Sequence, residues 1–562
     1  MTSVTSISTE PLNHLGIVAG MIKDLGIPNK IDTLLGDKKQ ATKFVSVSEC
    51  VSAMIINCLG FTNKALYLVP NFFSNKPVER LISPNVTAEH LNDDALGKTL
   101  DIIAEFGITK FFSNISFPIA QERKYGKRFA HIDTTSFSLE GNYEGFGDEN
   151  NSSTQVIRVT HGHSKKHRPD LKQIVVSMVC SGNANFPYWI EPLSGNSSDQ
   201  KSFHETIATV KEFQRSFGDS EDFCWVGDSA LYSKTMLLQD FSDYLWITRV
   251  PEKIKEAKAL VHLELSDDDW VKVGNGYKIS SHTSNYGDVS QRWLLVFSEQ
   301  AYERESKTLN KRIKIEFEKL TKEMKHLSND AFACAPDAEK KIEKIIKKLK
   351  YHSISYKIKT KLKHKKAGRP KLNGKGAEKL VYIVPEISQN EEAIEYFKRG
   401  KGRFILATND LDKNRLPNEN ILTEYKAQSG VEKGFKFLKD STFLLDKIYL
   451  KTPNRIAALT AVMALSLMVY NITEFEMRKA LKSKKLTLPN QLKKEVKNPT
   501  LKWVFKLMDG ITIVQIKIGD IVQREISDIT PLRKKIILLF EENTRKIYEV
   551  GSTRVFEGVE NV

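Results

Sequence analysis

Between Arg128 and Val250 the chain changes period in a fixed order. Phe129, His131, Asp133, Thr135 and Phe137 alternate with Ala130, Ile132, Thr134 and Ser136, the two-residue repeat of a strand, and Gly141-Asn142 follows as a turn signal. Gln173 to Cys180 is rich in β-branched residues, and Phe186-Pro187-Tyr188-Trp189-Ile190 reads as a third strand, giving an antiparallel meander. Asp199 then caps a helix from Lys201 to about Phe217. Phe223-Cys224-Trp225-Val226 is a short buried strand ending in Gly227-Asp228-Ser229-Ala230. A helix near Ser233 to Gln239 and an apolar strand, Tyr244 to Val250, complete the order. The pattern predicts one mixed sheet, with a carboxylate on the first strand and another just past the fourth.

The expected fold class is therefore α/β: an RNase-H-like mixed-sheet core. An insertion domain interrupts it and an N-terminal helical domain precedes it. Residues 1–125 read as an N-terminal domain of short helices, of a size that often forms a DNA reader. Ser46 and Glu49 form a capping box before Val51, Met54, Ile55 and Leu59, with Gly60 as the stop. Asn92 or Asp93 caps a second helix through Leu96, Leu100, Ile103 and Phe106, ending at Gly107. No recognition-helix signature separates a DNA reader from a plain helical bundle here. Residues 126–250 form the first part of the core.

Past Pro251 the pattern breaks, and 251–410 reads as the insertion. Short strands (Tyr277 to Ser281, Arg292 to Phe297, Leu380 to Val384, Arg403 to Ala407) surround two basic helices, Ala301 to Leu327 and Asp337 to Leu349. Lys361 to Lys375 reads as a flexible tract. The core resumes over 411–485. The C-terminal region, 486–562, holds a helix from Pro499 to Met508 and a hairpin of Thr512 to Ile518 with Ile521 to Ser527. It is a candidate dimerisation element.

Charge narrows the partner. The net charge is +16, and residues 301–380 hold 24 Lys/Arg against 10 Asp/Glu, a local excess of +14. A polyanion suits this, and nucleic acid fits better than a membrane surface because no long apolar face accompanies the charge. Five scattered cysteines without a Cys-x-x-Cys pair argue against a disulfide framework or zinc ribbon and fit a reducing cytoplasm. No secretory signal is apparent from Met1 to Leu12. Ile456 to Ile472 is the longest apolar run; it includes Thr460, Ser466, Tyr470 and Asn471 and reads as a buried core helix rather than a membrane span.

The helix expected at Tyr425 to Asp440 carries the third carboxylate. Tyr425, Gln428, Glu432 and Lys439 recur at helical spacing and would share one face, with Val431, Phe435 and Leu438 toward the core. Asp133, Asp228 and Glu432 converging in one core would repel one another unless cations neutralise them. Oxygen ligands without Cys or His favour two Mg²⁺ or Mn²⁺ ions over zinc. Such a pair can activate a water or a 3′-hydroxyl and stabilise the leaving oxygen of a phosphodiester.

His131-Ile132-Asp133-Thr134-Thr135, Val226-Gly227-Asp228-Ser229-Ala230-Leu231-Tyr232 and Tyr425-x2-Gln428-x3-Glu432-x6-Lys439 resemble the three catalytic blocks of DDE transposases. The likeness is to those of bacterial insertion sequences, IS-four-like, in the branch with a large insertion before the glutamate. It extends through Asn92-Asp93-Asp94 and His167-Arg168-Pro169-Asp170-Leu171-Lys172-Gln173 to the apolar helix after Arg455. One departure is Gln428, where the related signature commonly has Arg. The resemblance implies that Asp133, Asp228 and Glu432 hold the metals, and that Tyr425 and Lys439 position phosphates of the element's ends. It also implies nicking at terminal inverted repeats, transfer of the 3′-OH ends into target DNA, and a homodimeric synaptic complex. A metal-dependent nuclease on the same core and a catalytically silent DNA-binding derivative are the rival readings.

Several weaker signals accompany these. His161-Gly162-His163 with His167 could ligate a metal, but Lys165, Lys166 and Arg168 favour a DNA-facing loop. Ala367-Gly368-Arg369-Pro370-Lys371 is either a minor-groove hook through Arg369 or a basic linker. Arg249 reaches either DNA or an internal ion pair. Trp189, Trp225, Trp246 and Trp293 are expected in the core.

Overall fold

Local signals start the first long helices. The Ser46 hydroxyl accepts the Glu49 backbone N–H at 3.2 Å while the Glu49 carboxylate accepts that of Ser46 at 2.9 Å, and helix Val47–Cys58 follows. Asn92 caps Asp93–Phe106 through the Ala95 N–H at 3.0 Å, and Gly107, at φ 98°, stops it. The computed structural model describes residues 4–36, 39–61, 66–126, 128–141, 143, 157–163, 168–182, 184–197, 199–217, 223–233, 237, 244–364, 377–440, 450, 452–518 and 521–551. The chain divides into two compact units, 1–247 with 423–562, and 248–422.

The first unit opens with β1 (Val4–Pro11), a strand the sequence reading lacked. Its mixed sheet comprises β2 (Phe129–Leu139), β3 (Lys172–Ser181), β4 (Phe186–Ser194), β5 (Cys224–Gly227) and the first three residues of β6 (Leu245–Arg249), in the order β4-β3-β2-β5-β6. β3 is antiparallel to both neighbours, and β5 runs parallel to β2. β3 is buried along nearly its whole length, as its apolar run, broken only by Ser177, requires. Helix Asp199–Ser216 connects β4 to β5; of the helix expected at Ser233 to Gln239, all but Ser233 and Leu237 lie outside the described residues.

In the second unit β7 (Val271–Gly274), β8 (Tyr277–Ser284), β9 (Gln291–Ser298) and β12 (Arg403–Thr408) lie in the order β12-β9-β8-β7. Helices Glu299–Asn329 and Ala335–Ile346 leave this sheet and pack on an isolated ribbon, β10 (His352–His364) against β11 (Ala377–Gln389). β10 corrects the expected flexible tract: Lys361 to His364 is its end, while 365–376, including the hook-like segment and Arg369, lies outside the described residues. The alternation of Ile354, Tyr356 and Ile358 with lysines made it legible as a strand. This unit extends to residue 422 rather than 410. The buried Arg292 guanidinium holds the connecting segment to β9, donating to Asp410 O at 3.0 Å, Leu416 O at 2.7 Å and the Asn418 side chain at 3.1 Å.

The chain returns to the first unit at residue 423, and the C-terminal stretch of that unit adds a short ladder, β13 (Leu488–Pro489) with β14 (Glu495–Val496), and a hairpin, β15 (Thr512–Ile518) with β16 (Ile521–Ser527). β1 pairs with β15, so the C-terminal region is no separate domain. Gly16 lies beneath the Tyr548 ring and Gly20 beneath Thr544, where a Cβ would meet atoms within 2.7 Å and 2.2 Å. Without side chains there, helices Leu15–Asp24 and Glu542–Ile547 approach closely. Helix Pro453–Ser483 is long and apolar enough to cross a membrane, yet 89% of its apolar window is buried inside the protein. The four tryptophans are buried.

Candidate active site

One face of β2 organises the site. Residues two apart on a strand point the same way, so His131, Asp133, Thr135 and Phe137 form a row. Two consecutive helices, Asn418–Ala427 and Ser429–Leu438, meet that row in ascending order. His131 Nε2 lies 3.8 Å from Glu424 Oε2. Asp133 and Glu432 line one cavity of about 510 Å³, together with Thr134, Thr135, Phe435, Lys436, Lys439 and Asp440. Lys439 Nζ donates to Thr135 Oγ1 and sits 5.4 Å from the Phe137 ring centre. The lengths agree: 131 to 137 spans about 20 Å of strand, and 424 to 439 about 22 Å of helix.

Small residues let the second helix come close. Gly430 and Gly434 share its inner face with Val431, Phe435 and Leu438. A Cβ on Gly430 would fall 2.0 Å from Asn185 Oδ1, and one on Gly434 would lie 3.1 Å from both Leu467 and Met178. The opposite face leaves Glu432 and Lys436 exposed at the cavity. Asp440 also contacts Lys502, at 3.3 Å.

Asp228 approaches from the neighbouring strand. Phe129, Ala130 and His131 pair in parallel with Cys224, Trp225 and Val226. Continued for two residues, this register sets Asp228 opposite Asp133. Asp228 caps the turn Ser229–Leu231, its Oδ1 accepting the Ala230 N–H at 2.8 Å. Asp133 Oδ1 likewise accepts the Thr134 N–H, at 2.7 Å. Asp228 is not among the residues lining the cavity, and among the described residues no group of three His, Cys, Asp or Glu is gathered to hold a metal ion. Asp133, Glu432 and Asp440 thus line the cavity while Asp228 stands on the adjoining strand, and the expected triad is not gathered among the described residues.

The expected single helix face needs correction. The helix breaks at Gln428, where bonding tightens to Gln428 N–H to Tyr425 O at 3.2 Å and Val431 N–H to Gln428 O at 3.0 Å. That turn changes the angular phase between Tyr425 and Glu432. Tyr425 is half-buried and Gln428 is 7% exposed, and neither lines the cavity. Arg168 is chelated by Asp170, at 2.7 and 2.8 Å, and His167 lies outside the described residues. Arg249, in the second unit, pairs with Glu252 at 3.0 Å in an exposed ion pair and lies over Phe404. Glu424 was missed, although it stands eight residues before Glu432 at near-helical repeat.

Comparison with known proteins adds little. A domain of unknown function, DUF4277, matches residues 7–117. No curated protein matches the chain. Among solved structures, a piggyBac transposase synaptic complex with hairpin DNA matches at 9% identity, covering 97% of this chain and 85% of that one, with a TM-score of 0.35. A likeness that slight carries no argument about fold or function.

Proposed function

We propose that this chain is a DDE-type transposase that cuts DNA at the ends of a mobile element and joins the freed 3′-hydroxyls to a target. The observation that supports it best is the shared cavity of Asp133 and Glu432, residues separated by the whole insertion, with Lys439 beside them. The order β4-β3-β2-β5-β6, with Asp228 at the end of β5, agrees with an RNase-H-like core. The sequence blocks around the three acids supply the rest of the reading.

Carboxylate oxygens alone line the acidic side of the cavity, which fits hard divalent cations such as Mg²⁺ or Mn²⁺. Asp133 and Glu432 would hold them, with Asp228 drawn in from the adjoining strand. Bound there, a cation pair supplies Lewis acidity toward the phosphodiester and the attacking oxygen. The chain's own cations act on the DNA. Lys439, steadied by Thr135, reaches toward a phosphate oxygen, and Lys436 adds a second positive charge at the rim. Phe435 lines the cavity on its apolar side.

The test uses the full-length chain, duplex DNA bearing the inverted repeats that flank its reading frame, and Mg²⁺. Cleavage and strand transfer are expected, both abolished by EDTA. Joined products separate a transposase from a nuclease that only cuts. Glu432→Gln cutting at the wild-type rate would end the assignment.

A further inference from the structure

The charge of the second unit is not where the helices suggest. Helix Glu299–Asn329 carries eight Lys/Arg against six Asp/Glu, and helix Ala335–Ile346 three against three. β10 has four lysines and no acid. Its alternation sorts them. Ile354, Tyr356 and Ile358 turn toward the helices and join a core of Leu320, Met324, Leu327, Ala338, Ile342, Ile345, Val381 and Ile383. Lys357, Lys359 and Lys361 lie on the other face, all exposed. Opposite them, in unbroken antiparallel register, stand Val384, Tyr382 and Leu380. Glu386, opposite Ser355, and Glu378, opposite Lys363, stand at the ends of the row; between them no acid intervenes on this face.

We infer that this lysine face of the β10–β11 ribbon is a duplex-DNA-binding surface that grips the phosphate backbone without reading sequence. It rests on the proposed transposase reading and assigns that reading a second contact surface. Lysines every second residue recur at about 6.8 Å, a linear array of one sign that suits a polymer of regularly spaced negative charge. A two-stranded ribbon is narrow enough for the major groove of B-DNA. Tyr382, with Lys361 Nζ 5.3 Å from its ring centre, keeps that lysine extended over the face. The base of the ribbon is rigid: Glu316 accepts the N–H groups of Lys350 at 3.2 Å and Tyr351 at 2.8 Å, and lies 3.0 Å from His352 Nδ1. An anionic membrane suits the surface less well, because the apolar side chains that share it, Leu380, Tyr382 and Val384, form a single row rather than a broad apolar face.

The experiment measures affinity of the full-length chain for a mixed-sequence duplex across a salt series. The triple variant Lys357→Ala, Lys359→Ala, Lys361→Ala is compared with Lys311→Ala, Lys319→Ala, Lys322→Ala on helix Glu299–Asn329, which removes the same charge. The ribbon variant is expected to weaken binding equally for all sequences and to flatten the log–log salt slope by about 2.7, the release of three phosphate contacts. The corresponding triple Lys→Arg variant should restore both. An unchanged slope in the ribbon variant, or an equal loss in the helix variant, overturns the inference while leaving the transposase reading standing if the protein still cuts element ends. A wild-type chain that binds no duplex overturns both. Loss of binding to phosphatidylserine vesicles with duplex binding intact assigns the face to lipid and also overturns it.

Discussion

The two units spend their apolar residues differently. The first buries helix Pro453–Ser483 and nearly all of β3, and sets its acids on strands and helices held by that core. The second has, beneath its ribbon, a thin core of nine buried side chains and turns a row of lysines to solvent. In the first unit the polar side chains at the site meet one another: Lys439 meets Thr135, and His131 lies beside Glu424. The ribbon lysines share their face with Tyr382, Val384 and Leu380 instead. Chemistry needs groups fixed to fractions of an ångström, whereas a grip on a charged polymer needs length and sign.

That contrast can be broken most sharply by Asp133→Asn. If the first unit holds the chemistry, cleavage falls on the order of a thousandfold, several kcal/mol of lost charge stabilisation, while duplex binding persists. Loss of binding in proportion to cleavage would put both tasks on one surface. The cores can be compared next. Ile342→Ala should cost about 2–5 kcal/mol, felt within the ribbon and its helices. Hydrogen exchange should then quicken across 299–389 and leave 453–483 protected; a uniform rise would mean the units unfold together.

A third expectation concerns His14, which belongs to the first unit. Burial, with help from Lys76, pushes its imidazole down to about 4, against the bond to Leu59 O at 2.9 Å. The ring also stacks on Phe505 at 4.4 Å. The folded protein binds fewer protons here than the unfolded chain between about pH 6.5 and 4, so stability declines as pH falls through that window. The loss amounts to about 3 kcal/mol at its lower end. Denaturant midpoints between pH 7 and 4 check it, and His14→Phe should flatten that part of the profile. The smallest effect belongs to Gly430→Ala. Crowding Asn185 should cost about 1–3 kcal/mol and shift Glu432, lowering cleavage with both carboxylates intact. Melting temperature and single-turnover rate report it together.

Much of this is legible in the sequence. Ser46 with Glu49, and Asn92 with Gly107, mark helix ends because caps act within a few residues. The alternation at Phe129 marks β2 because side-chain direction repeats every two residues. Less legible was β1, whose partner β15 lies at the far end of the chain. Gln428 reads as an exposed amide from spacing, yet a tightened turn buries it. Glu424 gains meaning only from its nearness to His131. Arg292 likewise fixes the limit of the second unit through bonds to residues more than a hundred positions away.

By itself the sequence determined most of the helices, the order β2 to β6, the acids at the end of β5 and on β2, and the excess of positive charge. These follow from periodicity, capping and composition, which are short-range. Tertiary structure alone decided that Glu432 shares a cavity with Asp133 while Asp228 stands beside it, and that Lys357, Lys359 and Lys361 share one exposed face of a ribbon. Both depend on which surfaces pack: Gly430 and Gly434 admit one helix to the sheet, and Ile354 with Ile358 turns β10 so that its lysines meet solvent.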